Sequence, residues 1–127
     1  MNAPSPNGPV GESPLDAAAL ARLHELDPGG KTGIVARVLK TYEQSLASTL
    51  QNLQAAQARG DTTEVRRLAH TLKSSSASIG ALDLSADCAE VEALARDRHV
   101  AELPAALARL DRDGIGTLAA VRRLLPR

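Results

Sequence analysis

Aromatic side chains are almost absent from this sequence, which has one tyrosine and no phenylalanine or tryptophan among its 127 residues. β-Sheets favour aromatic residues, and proteins that bind single-stranded nucleic acid stack bases on them, so the shortage argues against both. Alanine and leucine instead contribute 23 and 19 residues. Because these two residue types have high helix propensities, the composition predicts an all-α protein.

The sequence also lacks an excess of charge of one sign, since 15 basic and 15 acidic residues give a formal net charge of zero. No overall attraction to nucleic acid or to an anionic membrane is therefore expected. The single cysteine, Cys88, excludes an internal disulfide and a multi-cysteine zinc site. No apolar run reaches the ~20 residues that span a bilayer, and the amino terminus does not resemble a signal peptide. We expect a cytoplasmic protein that binds neither nucleic acid nor membrane.

The length suits one domain with a continuous core. Residues 1–13 contain three prolines and two glycines without a hydrophobic period, which predicts a flexible N-terminal tail or linker. Residues 14–127 are then predicted to form one helical domain.

Breaks in the helical pattern predict five helices. A short helix is expected to begin at Ser13 and Pro14, with Ser13 as its cap, and to end at Asp27. Four longer helices follow at about 32–59, 62–79 and 84–97 and from about 101 onward, the last with a bend or break at Gly114 and Gly116. Short connections between such helices favour an antiparallel four-helix bundle with a short additional N-terminal helix.

The third helix, at about 62–79, places one histidine, His70, on a solvent-exposed face. At about 100° per residue, His70 lies near 140° from Val65, which belongs to the apolar side. The buried face is predicted to contain Val65, Leu68, Ala69, Leu72, Ser76 and Ile79. The neighbours of His70 at spacings of three, four and seven residues are Arg66, Arg67, Lys73, Ser74 and Ala77, with no acidic residue within one turn of this helix.

These neighbours favour a nucleophilic role for His70. Nearby cations disfavour the imidazolium form, and a neutral imidazole has a free lone pair. A phosphoryl group on the ring would bring close to two negative charges, which the same cations would stabilise. Ser74 and Ala77 are small and leave room for a partner. An ordinary surface histidine with incidental basic neighbours fits the spacing equally well. The spacing alone therefore does not decide between this hypothesis and a nucleophilic role.

Residues 69–81 resemble the signature of histidine phosphotransfer (HPt) domains, with His70, Leu72, Lys73, a small residue at Ser74 and Gly80 at matching spacings. Many members have glycine where this chain has Ser74. A looser resemblance extends from about residue 15 to 125. It implies a four-helix bundle in which His70 is phosphorylated at Nε2, Lys73 steadies the phosphoryl group, Ser74 and Ala77 leave room for the partner, and Gly80 is structural. Arg66 and Arg67 join this predicted site by geometry alone.

The resemblance further implies a phosphocarrier that accepts a phosphoryl group from an aspartyl phosphate on a response regulator receiver domain and passes it to another receiver aspartate. A sensor or hybrid histidine kinase would stand upstream. We expect the chain to have no cofactor or metal of its own, because Mg²⁺ belongs to the receiver in this family. We also expect no enzymatic ATP site. Gly30-Lys31-Thr32 resembles the end of a P-loop, but Glu25 occupies the position of its first glycine. The alternative is a non-catalytic helical protein-protein interaction module.

Overall fold

The computed structural model describes residues 13–126, which form five α-helices and one short 3-10 helix without a β-strand. The predicted tail, residues 1–13, lies outside the described residues except for Ser13. The α-helices are α1 (Ala17–His24), α2 (Ile34–Ala58), α3 (Thr62–Ser78), α4 (Leu82–Arg96) and α5 (Leu103–Leu124), and the 3-10 helix spans Pro28–Gly30. No helix in this part of the chain is long and apolar enough to cross a membrane.

Helices α2 to α5 form a four-helix bundle in which α2 packs on α3, α3 on α4, α4 on α5, and α5 back on α2. Polar contacts between α2 and α5 show that these helices are antiparallel. The amide of Gln54 donates to Asp111 at 3.0 Å, while Arg122, later in α5, donates to Glu43, earlier in α2, at 2.8 Å. The predicted all-α bundle with a short additional helix is confirmed.

The core consists mainly of leucine and alanine. Burying one leucine side chain stabilises the fold by about 1.5–3 kcal/mol. One polar pair crosses this core: the hydroxyl groups of Tyr42 and Ser76 lie 2.8 Å apart and are both buried. Burial raises the pKa of Tyr42 to about 12, so the phenol keeps its proton at neutral pH. The largest fully buried aliphatic side chains are Leu46, Leu53, Leu72, Leu84, Leu103 and Leu110.

Helix α1 begins later than predicted, and Ser13 is not its cap. Asp16 is the N-cap, because its Oδ2 accepts a hydrogen bond from the backbone N–H of Ala19 at 3.0 Å. The hydroxyl of Ser13 instead accepts from the N–H of Leu15, ahead of the helix, at 3.2 Å. An aspartate caps as well as a serine does, and here it also suits the positive end of the helix dipole.

The predicted break in the last helix is wrong, since α5 runs without interruption through Gly114 and Gly116. Each glycine costs about 1 kcal/mol relative to alanine, but tertiary packing offsets that loss. Gly114 is buried, and a Cβ at this position would lie only 2.7 Å from Cδ2 of Leu50. The residue thus lets α5 approach α2 closely instead of ending the helix.

Gly80, in the turn between α3 and α4, has a backbone φ of +87°, and a Cβ there would lie 2.7 Å from that of Ala19. We expect Gly80→Ala to lower the free energy of unfolding by about 2 kcal/mol, through backbone strain and overpacking. Gly116→Ala is the matched control, because a Cβ at this helical position meets nothing within 4 Å. This substitution should raise the free energy of unfolding by up to about 1 kcal/mol. Urea unfolding measures both, and equal effects would contradict this role of Gly80.

Candidate functional site

His70 lies in the middle of α3 with its side chain 63% exposed. The helix has the orientation that its periodicity predicts. All six residues of the predicted apolar face are buried: Val65, Leu68, Ala69, Leu72, Ser76 and Ile79. The ring is consequently anchored on a rigid element and accessible from solvent.

The antiparallel packing of α4 on α3 brings one carboxylate, Glu92, against this ring. Glu92 Oε2 lies 2.7 Å from Nδ1 of His70, and its Oε1 lies 2.7 Å from Nζ of Lys73. The Glu92 side chain is only 14% exposed, whereas Lys73 is 34% exposed. One carboxylate therefore joins the two residues through short, charge-assisted hydrogen bonds.

The contact with Glu92 decides which nitrogen of His70 is available. An ionised carboxylate only accepts hydrogen bonds, so Nδ1 must carry a hydrogen and donate it. In the neutral ring the lone pair then resides on Nε2. The arrangement leaves the exposed imidazole with a nucleophilic Nε2 and an Nδ1 that is held in place.

Hydrogen bonds also fix the charge of Glu92. The hydrogen bond from Lys73, and then that from His70, lower the pKa of the Glu92 carboxyl below its ordinary value despite partial burial, which acts in the opposite direction. Glu92 is accordingly ionised at neutral pH. It neutralises part of the positive charge around His70.

Two of the three cationic residues predicted near His70 are paired with carboxylates. Arg67 forms a bidentate ion pair with Glu64, one turn earlier on α3, with N···O distances of 2.8 and 2.6 Å. Arg66 is exposed, as are Ser74 and Ala77. The side chains of Ser74 and Ala77 are small and do not block access to His70. The positive charge predicted around His70 is thus partly compensated, because Glu64 pairs with Arg67 and Glu92 pairs with Lys73.

Sequence reasoning missed Glu92, the residue that organises this site. Glu92 is 22 residues from His70, and a search within one helical turn does not reach it. A signal was nevertheless present in the tight turn at Gly80. His70 precedes this glycine by ten residues and Glu92 follows it by twelve, so two antiparallel helices on either side of the turn place them at similar heights.

The two other histidines have different surroundings. His24 Nδ1 contacts the backbone oxygen of Leu20 at 2.8 Å, and His99 Nδ1 lies 3.7 Å from Glu102. Cys88 is fully buried, and burial raises the pKa of its thiol to about 12, which suits a core residue. Within residues 13–126, no three potential metal-ligating side chains cluster together.

Comparisons with known proteins agree with this geometry. The family model of the Hpt domain matches residues 37–124. The crystal structure of histidine-containing phosphotransfer protein B (HptB) from Pseudomonas aeruginosa PAO1 is similar, with a TM-score of 0.75 and 28% sequence identity, over 86% of this chain and 92% of that chain. No curated protein sequence matches. The chain therefore belongs to the Hpt domain family and is a histidine phosphotransfer carrier of two-component phosphorelays.

Proposed function

We propose that His70 is the phosphorylated residue of this carrier and that its Nε2 exchanges a phosphoryl group with aspartates of response regulator receiver domains. The observation that carries the proposal is the exposed ring whose Nδ1 is bound by Glu92, since this contact leaves the Nε2 lone pair free. A sensor or hybrid histidine kinase would supply the phosphoryl group to the first receiver.

The nucleophile of the transfer comes from this chain. The Nε2 lone pair of His70 attacks the phosphorus of a receiver aspartyl phosphate, and the bond from phosphorus to the aspartate oxygen breaks with its electrons. The product has a phosphorus–Nε2 bond and a positively charged ring, which the Glu92 carboxylate stabilises through Nδ1–H. In the second step a carboxylate oxygen of another receiver attacks phosphorus and the phosphorus–nitrogen bond breaks. Any Mg²⁺ would be held by the receiver.

Lys73 and the small residues beside it complete the proposed site. Nζ of Lys73 is held 2.7 Å from Glu92 and lies one turn from His70, where it can bind a phosphoryl oxygen. Arg66 adds positive charge at the preceding turn, where Arg67 is paired with Glu64. The exposed Ser74 and Ala77 allow a receiver to approach the ring closely.

The chain's P-loop-like segment does not support an ATP site. Gly30 ends a 3-10 helix that follows α1, whereas a P-loop follows a strand. We therefore propose that phosphoryl groups reach His70 only from a partner protein.

Incubation with a radiolabelled, phosphorylated receiver tests the function. Label should move to this chain, survive treatment with base and be lost in acid, as a phosphorus–nitrogen bond to histidine requires. Stable binding of the receiver without label would overturn the proposal and favour a non-catalytic interaction module. Base-labile label would contradict a histidine acceptor.

We expect Lys73→Ala to slow phosphoryl transfer about tenfold or more, because a hydrogen bond to a charged group contributes about 1.5–3 kcal/mol. Lys31→Ala is the control, since Lys31 is an exposed lysine in the loop before α2. Transfer rates measured by quenching radiolabelled reactions compare the two variants. Both should keep the wild-type helicity by circular dichroism, and a large loss of helicity in Lys73→Ala would contradict its placement on the surface.

A further inference from the structure

Ser85, near the start of α4, donates a side-chain hydrogen bond to the backbone of α3. Its Oγ lies 2.9 Å from the backbone oxygen of Lys73, in a partly buried position. The ammonium group of the same lysine lies 2.7 Å from Oε1 of Glu92, later in α4. Helix α4 therefore contacts Lys73 at both ends, the carbonyl through Ser85 and Nζ through Glu92.

Ser85 and Glu92 lie on the same face of α4. They are seven residues apart, which is close to two helical turns and about 10 Å along the helix axis. Cys88, between them on this face, is fully buried. Within the described residues, three side-chain hydrogen bonds join α3 to α4, and the two others come from Glu92. The bond from Ser85 is thus independent of the carboxylate that contacts His70.

Apolar packing leaves small movements of α4 against α3 less restricted than the site requires. Leu84, Cys88 and Val91 of α4 are buried, but the hydrophobic effect that stabilises them is non-directional. A hydrogen bond, in contrast, weakens steeply outside a narrow range of distance and angle. The bond from Ser85 therefore restricts both the height and the rotation of α4, at a point two turns from Glu92.

We propose that Ser85 is a positioning residue for the phosphoryl-transfer site. By binding the Lys73 carbonyl, it fixes the register of α4 in which Glu92 reaches both His70 and Lys73. Its hydroxyl binds the backbone of α3 and acts on the His70 ring only through Glu92. The effect on transfer rests on the proposed role of His70, whereas the effect on the contact between Glu92 and His70 rests on these hydrogen bonds alone.

Imidazole ¹⁵N NMR of the full chain tests this positioning without a receiver. The neutral His70 ring should carry its hydrogen on Nδ1, as the contact with Glu92 requires. In Ser85→Ala the ratio of the Nδ1–H to the Nε2–H tautomer should fall about 2- to 10-fold, the effect of one lost hydrogen bond. Ser78→Ala is the matched control, because this hydroxyl donates within α3, to the Ser74 carbonyl at 3.1 Å. An unchanged ratio in Ser85→Ala, or an equal fall in the control, would overturn the proposal.

The Glu92→Ala background separates a positioning role from a general structural one. Without a carboxylate to position, adding Ser85→Ala should leave the tautomer ratio of Glu92→Ala unchanged, so the two effects are not additive. An equal fall in both backgrounds would show that Ser85 acts on His70 by another route, and would contradict the proposal. The variants should keep the wild-type helicity by circular dichroism, because alanine is a better helix former than serine.

Label transfer from a phosphorylated receiver gives the functional readout. Ser85→Ala should slow transfer about 2- to 10-fold, while Ser78→Ala keeps the wild-type rate. A wild-type rate in Ser85→Ala, together with an altered tautomer ratio, would contradict a role of Ser85 in the reaction. Failure of the wild-type protein to accept label would instead contradict the proposed role of His70, and the NMR result would still decide whether Ser85 positions Glu92.

Discussion

His70→Gln is expected to abolish phosphoryl acceptance while leaving the bundle folded. The amide nitrogen of glutamine is not a nucleophile, because its lone pair is delocalised, so no substitute for Nε2 remains. The His70 side chain is largely exposed, and its removal should change the free energy of unfolding by no more than about 0.5 kcal/mol. Label transferred from a phosphorylated receiver and helicity by circular dichroism measure the two effects.

The other histidines of the chain provide the controls for this experiment. His24 and His99 are exposed, and neither contacts both a carboxylate and a lysine. His24→Gln and His99→Gln should therefore accept label as the wild-type protein does. Label retained by His70→Gln would end the assignment of the site, whereas loss of label in a control variant would place the acceptor elsewhere.

Glu92→Gln is expected to slow transfer by about 10- to 100-fold, the range typical for removing the carboxylate partner of a metal-bound histidine, which orients the ring in the same way. A glutamine can donate from its nitrogen to Nδ1 and stabilise the wrong tautomer, in which Nε2 carries the hydrogen. It also lacks the charge that stabilises the phosphorylated ring and holds Lys73. Single-turnover label transfer from a receiver, measured across pH 6–9, should show both a lower rate and an altered pH profile.

Glu90→Gln separates this effect from a general disturbance of α4. Glu90 lies two residues before Glu92 and pairs with Arg109 of α5, away from His70. This control should keep the wild-type rate and pH profile. If Glu92→Gln lost stability but transferred label with the wild-type pH profile, Glu92 would be a structural residue and not a positioning residue for His70.

The side of α3 that faces solvent could be predicted because its information is local. Apolar residues at helical spacing fix which face is buried, and the position of His70 follows from its angle to that face alone. Local sequence information was misleading for α5, where Gly114 has the low helix propensity of a helix breaker but packs against Leu50. It also failed for the start of α1, where Ser13 and Asp16 both match the preference for an N-cap.

Local patterns in the sequence were enough to predict an all-α bundle, a histidine projecting from the middle of one helix, and the identity of its neighbours on that helix. These features depend on helix propensity and on a period of 3.6 residues, both of which are local. The contact between Glu92 and His70, in contrast, arises only when α4 packs on α3. Contacts between helices depend on the register in which two helices pack, and no pattern within a single helix specifies that register.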